Sequence, residues 1–360
     1  MATSAWAVNS PEAVKLWSRK LFHEIIAGGF LGKFVGTGSN SLFQYKNETN
    51  KSEGDRIRVT LRRLLTGTGQ QGDGTLEGNE EALATFTDDV FINQLRHAVR
   101  SAGKMSEQRV PFSVREEARA GLQDWWTERT ETSAANQLTG NTGQADTRYT
   151  GNQATLAPTS ASSVTRIIVG GGHGGEGSLS NSTSHAIQLT DFDRAVAYSK
   201  SQRPRIRPIK VNGKNRFVTF LHPYQIYRMR QDTATAGNYF DLTQSMIEGG
   251  KIEDNPLLTG MEFTYNGCIV HEWDYLPTIA GTPAAGAAAD YRRGVFCGAQ
   301  CLLFGTGQDG GPQKMSWVED YFDYENQLGV AAGMIFGMKK TQFDSIDFGT
   351  IVLSGYAPTP

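Results

Sequence analysis

Residues 113 to 136 carry the pattern that most constrains this chain. Ser113 with Glu116, just after Pro111, reads as a capping box, and Val114, Ala118, Leu122, Trp125 and Trp126 recur as an apolar stripe. Arg115, Glu116, Arg119, Asp124, Glu128 and Arg129 fill the remaining faces. A helix of about 24 residues rising 1.5 Å each is roughly 36 Å long. In a domain of ordinary size such a helix acts as a strut, and the rest of the fold must be built around it.

Immediately before it the period changes from helical to alternating. Ile57, Val59 and Leu61 share one face while Arg56, Arg58, Thr60 and Arg62 share the other, so the segment reads as a half-buried strand. After a glycine-rich, acidic stretch at 66–82, Ala84, Phe86, Val90 and Ile92 alternate again, with Phe91 out of phase. The two limbs predict a long hairpin with a wide tip.

Elsewhere the signals are shorter. An amphipathic helix is expected over 11–27, stopped by Gly28 and Gly29. Between 139 and 163, 15 of 25 residues are Gly, Ser, Thr, Asn or Pro, which predicts a long exposed connection and a domain boundary. Beyond it come a strand at 165–169 and a helix capped by Thr190 with Asp193 and running to Tyr198. Asn212-Gly213 and Asn266-Gly267 mark tight hairpins. Helices are expected at 223–230 and 242–248, a buried strand at 294–304 after the alanine-rich loop 280–289, and short strands over the last 45 residues. The sum is an α+β chain.

Composition excludes several function classes. With 35 basic against 37 acidic residues, the chain is too balanced for a general polyanion binder, so any nucleic-acid contact is local. The apolar run 328–338 is about half the roughly 20 residues a membrane-spanning helix needs, and no secretory leader is read, so a cytoplasmic site of synthesis and no membrane partner are expected. Cys268, Cys297 and Cys301 make no disulfide framework, and the sequons at Asn47, Asn50 and Asn181 read as chance matches.

Catalytic chemistry is not visible. Gly-x-Gly-x-x-Gly occurs at Gly67, Gly170 and Gly305, but none leads into the helix whose N–H groups would meet a pyrophosphate. In a chain with 41 glycines these read as loops, leaving a nucleotide-dependent oxidoreductase only as a distant rival. Cys297 and Cys301 fit no metal-ligand spacing, and the six histidines form no local cluster. The expectation is no enzyme, no cofactor and no metal.

Two charge patterns remain. Lys200, Arg203, Arg205, Arg207 and Lys210 crowd an extended segment broken by Pro204 and Pro208, a solvated or subunit-contact edge in the plainer reading and a phosphate contact in the sharper one. The hairpin bears Arg56, Arg58, Arg62 and Arg63 on one limb and Asp73, Glu77, Glu80 and Glu81 around its tip. An arm basic at its base and acidic at its tip suits a repeating head-to-tail contact between identical copies.

The stretches Leu76-Glu77-Gly78-Asn79-Glu80-Glu81, Gln94-Leu95-Arg96-His97-Ala98-Val99-Arg100 and Gly103-Lys104-Met105-Ser106-Glu107-Gln108-Arg109-Val110-Pro111-Phe112 closely resemble one family. Further islands follow at Arg115-Glu116-Glu117-Ala118, Trp125-Trp126, Arg205-Ile206-Arg207-Pro208-Ile209-Lys210, Phe220-Leu221-His222-Pro223, Tyr265-Asn266-Gly267 and Gly337-Met338-Lys339-Lys340-Thr341. Together they resemble the major capsid proteins of tailed double-stranded DNA bacteriophages, in the N-four-like branch.

The resemblance implies the Hong Kong 97-type coat fold. Residues 1–54 would be the amino-terminal arm, 55–103 the extended E-loop, 104–185 the peripheral domain with its spine helix, 186–314 the axial domain, and 315–360 the return to the peripheral domain. It also implies self-assembly in the host cytoplasm into hexamers and pentamers of an icosahedral shell around the genome, expanding as DNA enters. The implied partners are a portal, a separate scaffolding protein and a decoration or cement protein. An encapsulin-like cellular compartment is the alternative on the same fold. One departure matters: residues 52–103 contain no lysine, which excludes a lysine-to-asparagine crosslink from this loop and leaves shell strength to noncovalent contacts. The strut begins about 110 residues into the chain, so no large fused scaffolding domain is expected before the E-loop.

Overall fold

The computed structural model describes residues 29–46, 54–111, 113–211, 213–231, 263–278, 290–307 and 315–359. The helices read at 11–27 and 242–248, the loop 280–289 and Asn212 lie outside the described residues.

The strut is a helix over Val114–Thr139, ending three residues beyond its pattern. Its stop is Gly140, whose left-handed φ of 62° lets its N–H reach the carbonyls of Asn136 and Gln137. The predicted capping box does not form: Ser113 holds the N-cap position without a side-chain bond. Ala118, Leu122 and Trp126 are buried as the stripe required, and Ala134, Ala135 and Leu138 extend the same face.

That face packs on a six-stranded sheet whose order is Val35–Gly36, Phe43–Lys46, Leu302–Thr306, Gln327–Lys340 and Met315–Phe322, with Asn93–Arg100 also paired to the central strand. The central strand runs 14 residues, longer than the short strands expected over the last 45 residues, while Gln342–Phe343, Ile346–Asp347 and Thr350–Tyr356 are short as expected. Trp126 meets Phe336 of that strand edge to face at 6.0 Å. Asn93–Arg100 carries His97 and runs antiparallel to Gly329–Phe336 within this sheet. His97 stacks on Trp125 at 4.4 Å.

The second sheet has seven strands, in the order Ile167–Val169, Thr350–Tyr356, Tyr291–Cys297, Lys214–Leu221, Cys268–Glu272 and Phe263–Tyr265, with Ile209–Val211 beside Lys214–Leu221. Helix Leu189–Ser201 buries Phe192, Ala195 and Val196 against it. Asp191, not Asp193, holds the start of this helix by accepting the N–H groups of Gln188 and Gly171. Asp193 instead accepts from the Tyr265 hydroxyl and the Asn266 amide. The Asn266-Gly267 turn has φ of 44° and 77°, the left-handed pair a tight hairpin demands.

Two readings are corrected. The apolar run 294–304 is not one strand: it breaks at Gly298–Cys301, where Gln300 takes φ 59°, and its halves enter different sheets. The polar stretch 139–163 is not an exposed connection. Thr150, Gln153, Thr155 and Thr159 are buried, and their neighbourhood is tied by Gln137 to the Thr150 and Gln153 carbonyls and by Gln153 to the Met338 carbonyl. Side-chain amides satisfy buried backbone here in place of an apolar core.

Helix Pro223–Gln231 begins after His222, whose Nδ1 accepts the Tyr224 N–H at 3.1 Å. Burial, reinforced by the nearby Arg292 charge, lowers the His222 pKa from 6.5 to about 4. Below pH 6.5 the unfolded chain takes up a proton that the native one refuses, so stability falls as pH drops from 6.5 to about 4 and then levels. The expected loss is about 2–3 kcal/mol across that window, and His222→Asn, which keeps an acceptor for the Tyr224 N–H, should flatten it. Urea midpoints taken at several pH values for both proteins check this, and parallel curves would refute it.

Candidate assembly surfaces

The hairpin pairs Arg56–Arg62 with Thr85–Phe91 in strict register, from Arg56 opposite Phe91 to Arg62 opposite Thr85. Its root is socketed. Ile57 and Val90 bury against Leu303 of the six-stranded sheet, while Asp88, on the same inward face, forms an ion pair with Lys339 and accepts the Gln342 N–H at 3.1 Å. Sequence reasoning missed Asp88 and Lys339. The signal was there: a carboxylate in phase with Phe86 and Val90 faces the core and requires a partner. Three glycines make the seat close-fitting, since a Cβ at Gly305 would meet Ile57, one at Gly307 would meet Ile335, and one at Gly337 would strike the Phe91 carbonyl.

Along the limbs the predicted arginines divide. Arg58 holds Asp89, its cross-strand partner, through two bonds of 2.7 and 2.9 Å, and this pairing keeps the Asp89 carboxyl below the usual carboxylate range. Arg56 lies over the Phe91 ring at 4.4 Å. Arg62 and Arg63 are exposed and make no ion pair among the described residues. Both occupied arginines stiffen the arm internally, and both open ones sit where the ladder ends.

At the tip every residue from 62 to 85 is exposed. Glu81 accepts the Thr66 and Gly67 N–H groups at 2.8 and 2.6 Å, bonds that lower its pKa and tie the two sides of the tip together. Glu80 accepts the Gly78 N–H, while Asp73 and Glu77 bond nothing among the described residues. Leu64, Leu65, Leu76 and Leu83 are each more than half exposed. Four open leucines beside free carboxylates form a surface that a single chain leaves uncovered.

The basic edge follows helix Leu189–Ser201. Arg203, Arg205 and Arg207 are exposed while Ile206 and Ile209 between them are buried, as the alternation with prolines suggested. Arg207 donates to the Ser39 carbonyl, and Lys210 exchanges two backbone bonds with the Asn40 side chain, so residues 39–40 brace this edge. Lys200, Arg203 and Arg205 have no acidic partner among the described residues. The edge borders a groove of about 430 Å³.

No group of three or more His, Cys, Asp or Glu suited to a metal occurs among the described residues, and none of their helices is long and apolar enough to cross a membrane. Cys297 and Cys301 are buried and free, and burial drives the Cys297 thiol pKa up. None of the glycine motifs opens an α-helix among the described residues: Gly170–Gly172 is a tight 3-10 turn, Gly175 leads only into the three-residue 3-10 turn Glu176–Ser178, and Gly305 lies within a strand. The structure does bring two of the scattered histidines together, stacking His173 on His185 at 3.6 Å, and burial followed by this neighbour lowers the His185 pKa.

Comparison with known proteins accounts for this architecture. Residues 5–359 match the family model described as phage capsid protein. The chain is 29% identical over 370 residues to the major capsid protein of Pseudomonas phage KPP25, covering 94% of both. Its fold superposes on the capsid of Ralstonia phage GP4 with a TM-score of 0.76 at 28% identity, over 100% of this chain and 99% of that one. The capsid of cyanophage Pam1 gives 0.69 at 19% identity, over 100% and 95%. A long strut, a socketed projecting hairpin and two sheets, matched end to end by these relatives, place the chain in the phage capsid protein family, with the Hong Kong 97-type coat fold and the role of a major capsid protein in a tailed-phage virion.

Proposed function

We propose that this chain assembles as hexamers and pentamers of an icosahedral shell around double-stranded DNA, in the N-four-like branch, and that the projecting hairpin laps an adjacent copy. The observation that carries the reading is the hairpin itself: a rigidly socketed arm whose tip, residues 62–85, is exposed throughout and bears four open leucines. Such a surface gains burial only from another molecule, and many weak contacts of this kind reinforce one another in a closed shell.

The arm's contact residues are Arg62, Arg63, Asp73 and Glu77, with Glu80 beside them; Arg56, Arg58 and Glu81 shape the arm from within. Shell assembly proceeds in the host cytoplasm on a separate scaffolding protein, with a portal at one vertex and the genome held nonspecifically. Since residues 52–103 lack lysine, cohesion comes from noncovalent contacts or a cement protein. The chain acts by assembly and has no catalytic role.

Negative-stain electron microscopy of the expressed chain should show polyhedral shells or rings. Arg62→Glu with Arg63→Glu should lower particle yield by about tenfold or more while the subunit's circular dichroism is unchanged, because the charge of two exposed contact residues is then reversed. Particles in normal number would remove the hairpin from the assembly contact.

A further inference from the structure

We infer that the acidic, leucine-bearing tip of one copy's hairpin docks in the groove beside the basic edge of a second copy, with Leu76 on its apolar floor and Glu77 and Asp73 against Lys200 and Arg205. This rests on the assembly reading above and names the receiving surface.

The groove is built for an amphipathic anion. Ile206 and Phe217 form a floor, Pro208 narrows one side, and Lys200, Arg205 and Asn266 stand around the rim. Two of its lining residues are held in place: Asn266 by Asp193 and Arg207 by the Ser39 carbonyl. Neither Lys200 nor Arg205 has a carboxylate partner among the described residues. About 430 Å³ is room for a few side chains, not for a folded element.

The tip offers the matching chemistry. Leu76 and Glu77 are adjacent, Leu76 is 62% exposed, and neither Asp73 nor Glu77 is bonded within the arm. The base of a neighbouring hairpin is the poorer receptor, since Arg58 is held by Asp89 and Arg56 lies on Phe91. At about 3.4 Å per residue the seven-residue limbs alone carry the tip roughly 23 Å from its root, far enough to reach an adjacent copy. A phosphate backbone would use the cations but leave the apolar floor and the four leucines without purpose.

The test is made in assembled shells. All three native cysteines are buried, so a pair introduced as Glu77→Cys and Arg205→Cys reports on this contact alone. With copper phenanthroline, shells of the double variant should give reducible ladders of linked subunits, while either single variant gives monomers; a disulfide needs Cα atoms within about 7 Å. Intact shells yielding only monomers would overturn the proposal and leave the assembly reading standing. In parallel, Lys200→Glu with Arg205→Glu should cut shell yield by about tenfold, and Asp73→Lys with Glu77→Lys in the same chain should restore it. Normal shells with reduced DNA content from the first variant would assign the groove to the genome instead. Failure of the wild-type chain to form shells with its scaffold present would defeat the assembly reading and this contact together.

Discussion

Lys340→Met is expected to destabilise the subunit by about 3–5 kcal/mol, the cost of leaving a buried charge without its partner. Lys340 ends the central strand with its ammonium 2.9 Å from Asp347, and both side chains are wholly shielded from solvent. Burial lowers the Lys340 pKa and the Asp347 charge works against that shift. Asp347 also accepts the Thr159 N–H and the Gln342 amide, so the pair clamps the polar stretch 139–163 to the end of the sheet. Adding Asp347→Asn should recover part of the loss by removing the orphaned charge. Urea unfolding of unassembled subunits, followed by tryptophan fluorescence, measures both. A loss under about 1 kcal/mol from Lys340→Met would show that the pair behaves like a solvated surface bridge.

Gly337→Ala should impair assembly more than folding. An added Cβ would stand 1.9 Å from the Phe91 carbonyl oxygen, a contact with backbone that no rotamer change relieves. The hairpin root must lift from its seat, at a cost of about 1–3 kcal/mol for overpacking, and the displacement grows along the arm toward the tip. Particles should become scarce or irregular in electron micrographs, and the hairpin should be cut faster by protease. Gly121→Ala is the internal control. Nothing lies within 4 Å of its added Cβ on the strut, and alanine there should gain up to about 1 kcal/mol of helix stability. Normal shells from Gly337→Ala would mean that the socket does not set the arm's direction.

These effects follow from different layers of the molecule, and only some were legible beforehand. Local rules sufficed for the strut helix, the two limbs of the hairpin and the Asn-Gly turn, because each depends on residues near in the chain. Local rules failed where a distant group supplied the partner. Asp191 displaced Asp193 at a helix start because Gly171 lies close enough to share its carboxylate. Nothing in the structure explains why Ser113 makes no side-chain cap although its motif is intact. The run 294–304 looked like one strand since apolar periodicity does not reveal a change of sheet, and the break is sited where Gly298 packs on Ile206 and the Arg207 carbonyl.

The same division runs through the assembly surfaces. By itself the sequence determined that the arm projects, that its tip is acidic and that a basic edge follows the helix at 189–201, since alternation, glycine content and charge spacing are all short-range properties. Tertiary structure alone decided which of those charges remain available. Arg58 faces Asp89 through cross-strand register, Glu81 folds back on Thr66 and Gly67, and Lys200 and Arg205 stay open beside a groove walled by the Asn266 turn. Charge is a property of the residue, whereas its availability depends on what the folded chain brings within hydrogen-bonding distance.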